Sequence, residues 1–176
     1  ELAESIGSNE IIAVVGYLKE QIQEILKDRV KYAYQEELLG TGHAVMQAEK
    51  LLKGKKGKVV ILSGDVPLIR TETLKSLIEK STTQKEYATV LTAIYDNPTG
   101  YGRVIRDEGG SIKEIIEEKD ADLSQKEIKE INSGIYCFDI EELVLALKEV
   151  KSDNAQCEFY LTDVIKLMNE KGLKTG

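Results

Sequence analysis

Apolar positions along the chain fall into short continuous blocks separated by stripes at helical spacing. Residues 11–16, Ile-Ile-Ala-Val-Val-Gly, form an unbroken apolar run, the pattern of a strand buried on both faces. Across 17–27, Leu18, Ile22, Ile25 and Leu26 recur at helical spacing. Residues 30–35 alternate weakly and predict a second short strand. Residues 41–52 predict a helix, with Ala44, Val45, Ala48, Leu51 and Leu52 as its inward stripe. Residues 59–62 predict a buried strand that runs into Ser63-Gly64-Asp65, with Pro67 ending it. Residues 71–80 predict an amphipathic helix with Thr71 as N-cap, and 87–95, rich in β-branched and aromatic residues, another strand. This alternation of strand and helix predicts a parallel sheet covered by helices. The pattern then changes. Residues 103–106 and 111–117 flank Asp107-Glu108-Gly109-Gly110, a hairpin signal. A strand at 130–138 and helices near 139–150 and 161–171 complete the reading. The expected fold is α/β: a mostly parallel mixed sheet, helices on both faces, and an antiparallel insertion in the second half. No internal repeat or Pro-rich linker divides residues 1–176, so one domain is expected.

Composition narrows the class. With 41% hydrophobic and 31% charged residues the chain has enough apolar surface for a core and too much for disorder. No apolar run approaches the roughly 18 residues of a membrane span. The acidic, polar start is unlike a signal peptide, and two cysteines, Cys137 and Cys157, exclude a disulfide scaffold and favour a reducing cytoplasm. The single His43 excludes a histidine-rich metal site. A net charge of −7 argues against polymeric nucleic acid. It leaves a single nucleotide open, because backbone N–H groups and a metal ion can hold phosphate.

Four places have residue types suited to chemistry. Gly40-Thr41-Gly42-His43 lies between strand and helix, where glycine lets the backbone approach a ligand; the plainer reading is a turn. Gln35, at the preceding strand end, has donors and an acceptor for a base edge. His43 reads first as a locally bonded helix-start residue. Ser63-Gly64-Asp65 closes an apolar strand, and a carboxylate there suits Mg²⁺, which takes few protein ligands. It equally suits an Asp capping the next turn. In Pro98-Thr99-Gly100-Tyr101-Gly102-Arg103, the glycines form either a plain turn or a wall against a flat or sugar-like ligand. Asn132, polar in an apolar strand, bonds either a neighbour in the fold or a ligand hydroxyl. The basic run at 53–58 reads as a solvated connection, and Cys137 as core filling.

Taken in order, GTGHA (40–44), SGDVPLI (63–69), NPTGYGRV (97–104), IIEEKDA (115–121), EINSGIY (130–136) and NAQCEFYLTD (154–163) resemble the uridyltransferase domain of the bacterial bifunctional N-acetylglucosamine-1-phosphate uridyltransferase / glucosamine-1-phosphate acetyltransferase family. The resemblance implies a Rossmann-like nucleotidyltransferase fold and synthesis of UDP-N-acetylglucosamine from UTP and N-acetylglucosamine 1-phosphate. It implies that Gln35, Gly40 and Thr41 contact uracil and ribose. Ser63, Gly64 and Asp65 would touch the nucleotide sugar, Asp65 as a ligand of Mg²⁺. Gly102, Glu117 and Asn132 would hold the N-acetylglucosamine, and Tyr160 and Thr162 would close that pocket. The family's first strand and nucleotide loop would precede residue 1, a second magnesium-binding asparagine would follow Gly176, and the acetyl-transferring β-helix that builds a homotrimer would lie beyond. The expectation is therefore an internal portion of a larger cytoplasmic enzyme, nearly inactive alone. Another nucleotidyltransferase of the same fold and a non-catalytic binding module are the alternatives.

Overall fold

The computed structural model describes residues 1–66 and 68–176. The expectation placed on Pro67 lies outside the described residues. In chain order the elements are α1 (Leu2–Ser5), β1 (Ile12–Val15), α2 (Lys19–Leu26), β2 (Lys31–Tyr34), α3 (Thr41–Gln47), α4 (Glu49–Leu52), β3 (Lys58–Ile61), α5 (Thr71–Thr83), β4 (Ala88–Ile94), β5 (Arg103–Arg106), β6 (Ile112–Ile116), α6 (Leu123–Lys126), β7 (Glu130–Asp139), α7 (Ile140–Leu147) and α8 (Asp163–Glu170).

Strand β7 organises the main sheet, because its residues alternate between two apolar faces. Ile135 and Cys137 pack with Leu74 and Leu77 of α5 on one face. Tyr136 and Phe138 pack with Leu143 and Leu147 of α7 and Val164, Ile165 and Met168 of α8 on the other. Burying a strand on both sides this way places helices on both faces, as the alternation of elements required. Ala33, Ala48, Leu52 and Ile140 form a smaller cluster under α3 and α4.

The pairing differs from the expected parallel order. β1 and β2 run parallel as a separate two-stranded sheet. In the five-stranded sheet β7 lies between β3 and β4 and runs antiparallel to both. β3 and β4 are thus parallel in direction without touching. Beyond them, β5 and β6 form the predicted antiparallel hairpin around 107–110, and β5 pairs with the start of β7. A parallel bridge joins Ala88 to Thr175, and Gly176 exchanges backbone hydrogen bonds with Ala88 and Val90.

Two local expectations are corrected. Thr71 is the first residue of α5 rather than its cap, and its hydroxyl meets that of Ser5 at 2.9 Å. The helix predicted over 41–52 breaks at Ala48, whose N–H turns to the carbonyls of Met46 and Val45 and tightens the end of α3. Asp139, by contrast, caps α7 through the N–H groups of Glu141 and Glu142. Among the described residues no helix is long and apolar enough to cross a membrane.

Candidate active site

Cross-strand register brings distant residues onto one row. Arg103 lies opposite Ile116 of β6 and Ile131 of β7. One residue earlier, Gly102 therefore sits between Glu117 and Asn132, and its carbonyl accepts the Asn132 N–H at 2.9 Å. Thr92 of β4 lies opposite Asn132 and extends the row. With strands spaced about 4.8 Å apart, Glu117 and Asn132 stand roughly 10 Å from each other across a glycine floor. A Cβ on Gly102 would come 3.2 Å from Ile115 Cγ2 and 3.3 Å from Glu117 Oε2. The missing side chain keeps that floor open.

A bulge in β7 aims Asn132. Leu91 faces Ile135 but Thr92 faces Asn132, so Ser133 and Gly134 have no opposite residues. Gly134 has φ +76°, and its N–H donates to Asn132 Oδ1 at 3.0 Å. Ser133 Oγ donates to the Leu91 carbonyl at 2.6 Å. Asn132 Nδ2 donates to the Tyr136 hydroxyl at 2.7 Å. Asn132 thus bonds within the fold through Nδ2 and Oδ1, and one amide hydrogen of Nδ2 is left unspent. Ser63 Oγ donates to the Gly134 carbonyl at 3.1 Å, tying the end of β3 to the same bulge. Gly64 and Asp65 follow, both exposed.

Glu117 is the electrostatic centre of the row. Thr162 Oγ1 donates to its Oε1 at 3.1 Å. Burial pushes the Glu117 carboxyl above its ordinary range, the Thr162 bond opposes this, and Asp120, Asp163 and Glu158 push it up further. Burial raises the Tyr136 phenol, against the Asn132 bond and with Glu117 adding to the rise. Tyr160 donates to Asp120 Oδ2 at 3.2 Å, and burial first, then the nearby carboxylates, push its phenol up to about 12. Asp120 also accepts the Ala155 N–H at 2.8 Å, anchoring the 154–162 segment beside the row.

The Gly40–His43 turn packs on that segment. Gly42 N–H donates to the Phe159 carbonyl at 2.7 Å, Phe159 N–H to Leu39 at 2.8 Å, and Leu161 N–H to Thr41 Oγ1 at 3.1 Å. A Cβ at Gly40 or Gly42 would lie 2.7 or 2.8 Å from the Phe159 carbonyl. The space beside both glycines is therefore taken by the chain's own backbone. Gln35 Nε2 donates to the Gly40 carbonyl at 3.1 Å and meets His43 Nδ1 at 3.2 Å, while the other ring nitrogen of His43 meets Gln47. His43 is thus the locally bonded helix-start residue.

A continuous run of contacts links Gln35, Gly40 and Thr41 through residues 159–161 to Tyr160, Thr162 and Glu117, and on through Gly102, Asn132 and Gly134 to Ser63. Among the described residues Asp65 makes no hydrogen bond or ion pair with the others. No group of three or more His, Cys, Asp or Glu side chains among the described residues is arranged to hold a metal. The donor set at this strand end is one exposed carboxylate. That fits a hard cation that keeps water and phosphate oxygens for its remaining positions.

Three residues near the row had escaped the sequence reading: Arg103, Tyr136 and Asp120. Arg103 offered no local signal, since it and Arg106 bracket Val104 and Ile105 in a short strand, where arginine ordinarily faces water. Tyr136 reads only as core, and Asp120, in the charge run Glu117-Glu118-Lys119-Asp120 at a strand end, reads as facing water.

Residues 4–176 match the profile of the family described as nucleotidyl transferase. The protein named bifunctional protein GlmU from Caldanaerobacter subterraneus subsp. tengcongensis is 52% identical over 176 residues, all of this chain and 38% of the relative. The GlmU of Acetivibrio thermocellus is 50% identical over 170 residues, 97% of this chain and 37% of the relative. This chain thus spans well under half the length of these relatives. The crystal structure of a UDP-glucose pyrophosphorylase complexed with UDP-glucose superposes with a TM-score of 0.72 at 18% identity, covering 97% of this chain and 72% of that one.

Proposed function

We propose, from the premise that this chain belongs to the nucleotidyl transferase family, that it is the uridyltransferase portion of a bifunctional protein. The reaction is transfer of a uridylyl group from UTP to N-acetylglucosamine 1-phosphate, giving UDP-N-acetylglucosamine and pyrophosphate. A phosphate oxygen of the sugar attacks the α-phosphorus of UTP. The bond from that phosphorus to the bridging oxygen breaks, and pyrophosphate leaves with the electron pair. No covalent enzyme intermediate is required, so the protein's work is positioning and charge stabilisation.

The observation that carries this reading is the Glu117–Gly102–Asn132 row. Its two polar ends stand about a sugar's width apart across a floor with no side chain. Glu117 accepts sugar hydroxyls, Asn132 donates its remaining amide hydrogen, and Gly102 allows the ring to lie on the backbone. Thr162 orients Glu117 directly, and Tyr160 secures the neighbouring segment through Asp120. Because Gln35 Nε2 is committed to Gly40, its Oε1 is the atom left to accept an N–H from the uracil edge. Gly40 and Thr41 lie beside it at the ribose, and Ser63 and Gly64 line the nucleotide-sugar end of β3. Asp65 would hold Mg²⁺, which when bound neutralises phosphate charge and steadies the departing pyrophosphate.

In the whole protein, acetyl transfer and homotrimer formation belong to a separate β-helix domain. The enzyme works in the cytoplasm and feeds peptidoglycan synthesis. The test is pyrophosphate release by the whole protein, with UTP offered against N-acetylglucosamine 1-phosphate, glucose 1-phosphate and no acceptor. Preference for the N-acetylated sugar by at least tenfold in kcat/KM supports the reading; equal use of glucose 1-phosphate refutes it.

A further inference from the structure

We infer that the ion pair between Arg103 and Glu118, behind the glycine-floored row, is the positioning element that sets Gly102 and Glu117 for the sugar phosphate. The inference rests on the reading of that row given above. Successive strand residues point to opposite faces, so Arg103 projects away from the side on which Gly102 faces Glu117. Glu118, in the turn directly after Glu117, meets it there.

The geometry is that of a clamp. Arg103 is 1% exposed, and its Nη2 lies 2.7 Å from Glu118 Oε2. Its Nη1 donates to the Tyr101 carbonyl, and Nη2 also reaches the Lys126 carbonyl at 3.4 Å. Glu118 Oε2 accepts in addition the Gly100 N–H at 3.3 Å. One carboxylate oxygen therefore fastens both the turn that leads into Gly102 and the strand that leaves it. The guanidinium in turn fastens Tyr101 and the end of α6. The buried Nε–H of Arg103 has no partner among the described residues, so the outer nitrogens alone provide the hold.

The consequence for the front of the sheet is mechanical. Beyond the β5–β6 ladder, what holds residues 100–103 against 117–118 is the Arg103–Glu118 pair and the Gly100 bond to the same carboxylate. A buried guanidinium that loses its counter-charge must find water or another acceptor. The nearest route out is movement of the 98–102 turn, and a displacement of about 1 Å at a binding group is enough to cost about a hundredfold in rate. The pair acts on the sugar phosphate and not on the nucleotide, because Gln35 is held by Val15, Gly40 and His43, Thr41 is bonded to Leu161 and Gly40 packs on Phe159, none of them through Arg103 or Glu118.

The experiment compares Glu118→Gln, Arg103→Lys, Glu117→Ala and Leu52→Ala in the whole protein, with KM for each substrate, kcat and Tm read for all four. Leu52 of α4, buried in the separate cluster with Ala33, Ala48 and Ile140, controls for destabilisation remote from the row. The expected result is a rise of about tenfold in the sugar-phosphate KM for Glu118→Gln and Arg103→Lys, with the UTP KM within twofold. Leu52→Ala should lower Tm and leave the sugar-phosphate KM unchanged. Glu118→Gln, which keeps the shape and one acceptor oxygen, decides the matter if Arg103→Lys does not fold. A lowered Tm with unchanged sugar-phosphate KM in Glu118→Gln, while Glu117→Ala raises it, overturns the inference and leaves the proposed function standing. Unchanged KM in Glu117→Ala as well overturns both.

Discussion

The Thr162 hydroxyl donates to Glu117 Oε1 at 3.1 Å across a sequence separation of 45 residues. Thr162 occupies the N-cap position of α8 yet makes no side-chain cap bond there. Its hydroxyl serves the neighbouring strand end instead of its own helix. Thr162→Val keeps the volume and removes the donor. Leaving a partly buried carboxylate without that bond should cost about 1–3 kcal/mol of stability. Thr162→Ser should recover most of it. Urea unfolding of both variants checks this, and equal stability of Val and Ser at this position would show the bond to be idle.

Glu117 itself should carry sugar binding. Hydrogen bonds to charged groups contribute roughly 1.5–3 kcal/mol, so Glu117→Ala should raise the sugar-phosphate KM about tenfold to a hundredfold. The UTP KM should stay within twofold. Steady-state kinetics with each substrate varied in turn separates the two.

The same carboxylate predicts a pH dependence of stability. Burial, with Asp120, Asp163 and Glu158 nearby, raises its folded pKa above the ordinary value of 4.5. The folded state therefore holds this proton more tightly than the unfolded state, and stability falls as pH rises through that interval. Below the ordinary value the penalty is absent; above the raised value it is complete. Glu117→Gln should accordingly raise Tm at pH 7–8 and leave it unchanged near pH 3.5. A Tm gain of the same size at both pH values would assign the effect to something other than this ionisation.

Gly42→Ala should be poorly tolerated. Its Cβ would lie 2.8 Å from the Phe159 carbonyl, 3.1 Å from Tyr160 C and 3.2 Å from Leu161 N, all backbone atoms with no flexible end to yield. Overpacking of this kind costs about 1–3 kcal/mol. The displaced 159–161 segment leads directly into Thr162, so the variant should also raise the sugar-phosphate KM. Gly54→Ala is the fitting control for the added methyl group, since a Cβ there meets nothing within 4 Å although its φ of +78° still adds local strain. Thermal melts and kinetics of the two variants test both effects.

Local pattern made the elements legible. β1, β3, β4 and β7, the 107–110 hairpin and the stripe of α5 all follow from runs, alternation and turn residues that lie within a few positions of one another. What the pattern could not carry was adjacency. Val59, Val60 and Ile61 announce burial, but nothing in them says that the neighbour is β7, which comes much later in the chain and runs the other way. The glycines at 40 and 42 were legible as places of close approach, while the partner, the backbone of Phe159, was not. Glu117, Gly102 and Asn132 were identified through motif resemblance; their common row emerges only from the register of three strands. Arg103 went unread because an arginine in a short strand ordinarily faces water, and its burial depends on Glu118 and on two carbonyls supplied by other segments.

The wedged position of β7 bears on how the chain is made. Among the described residues, β3 finds its only ladder partner in β7, and β4 is flanked by β7 and the segment at Thr175. Both take this partner from sequence that a ribosome delivers after them. Until Asp139 emerges, the backbone edges of Val59 to Ile61 and of Ala88 to Leu91 that β7 covers stay open, the condition under which nascent polypeptides recruit chaperones or clump together. Ribosome-stalled lengths ending before Glu130 should be cut readily by protease within 58–94, and lengths that have released all of 130–176 should resist.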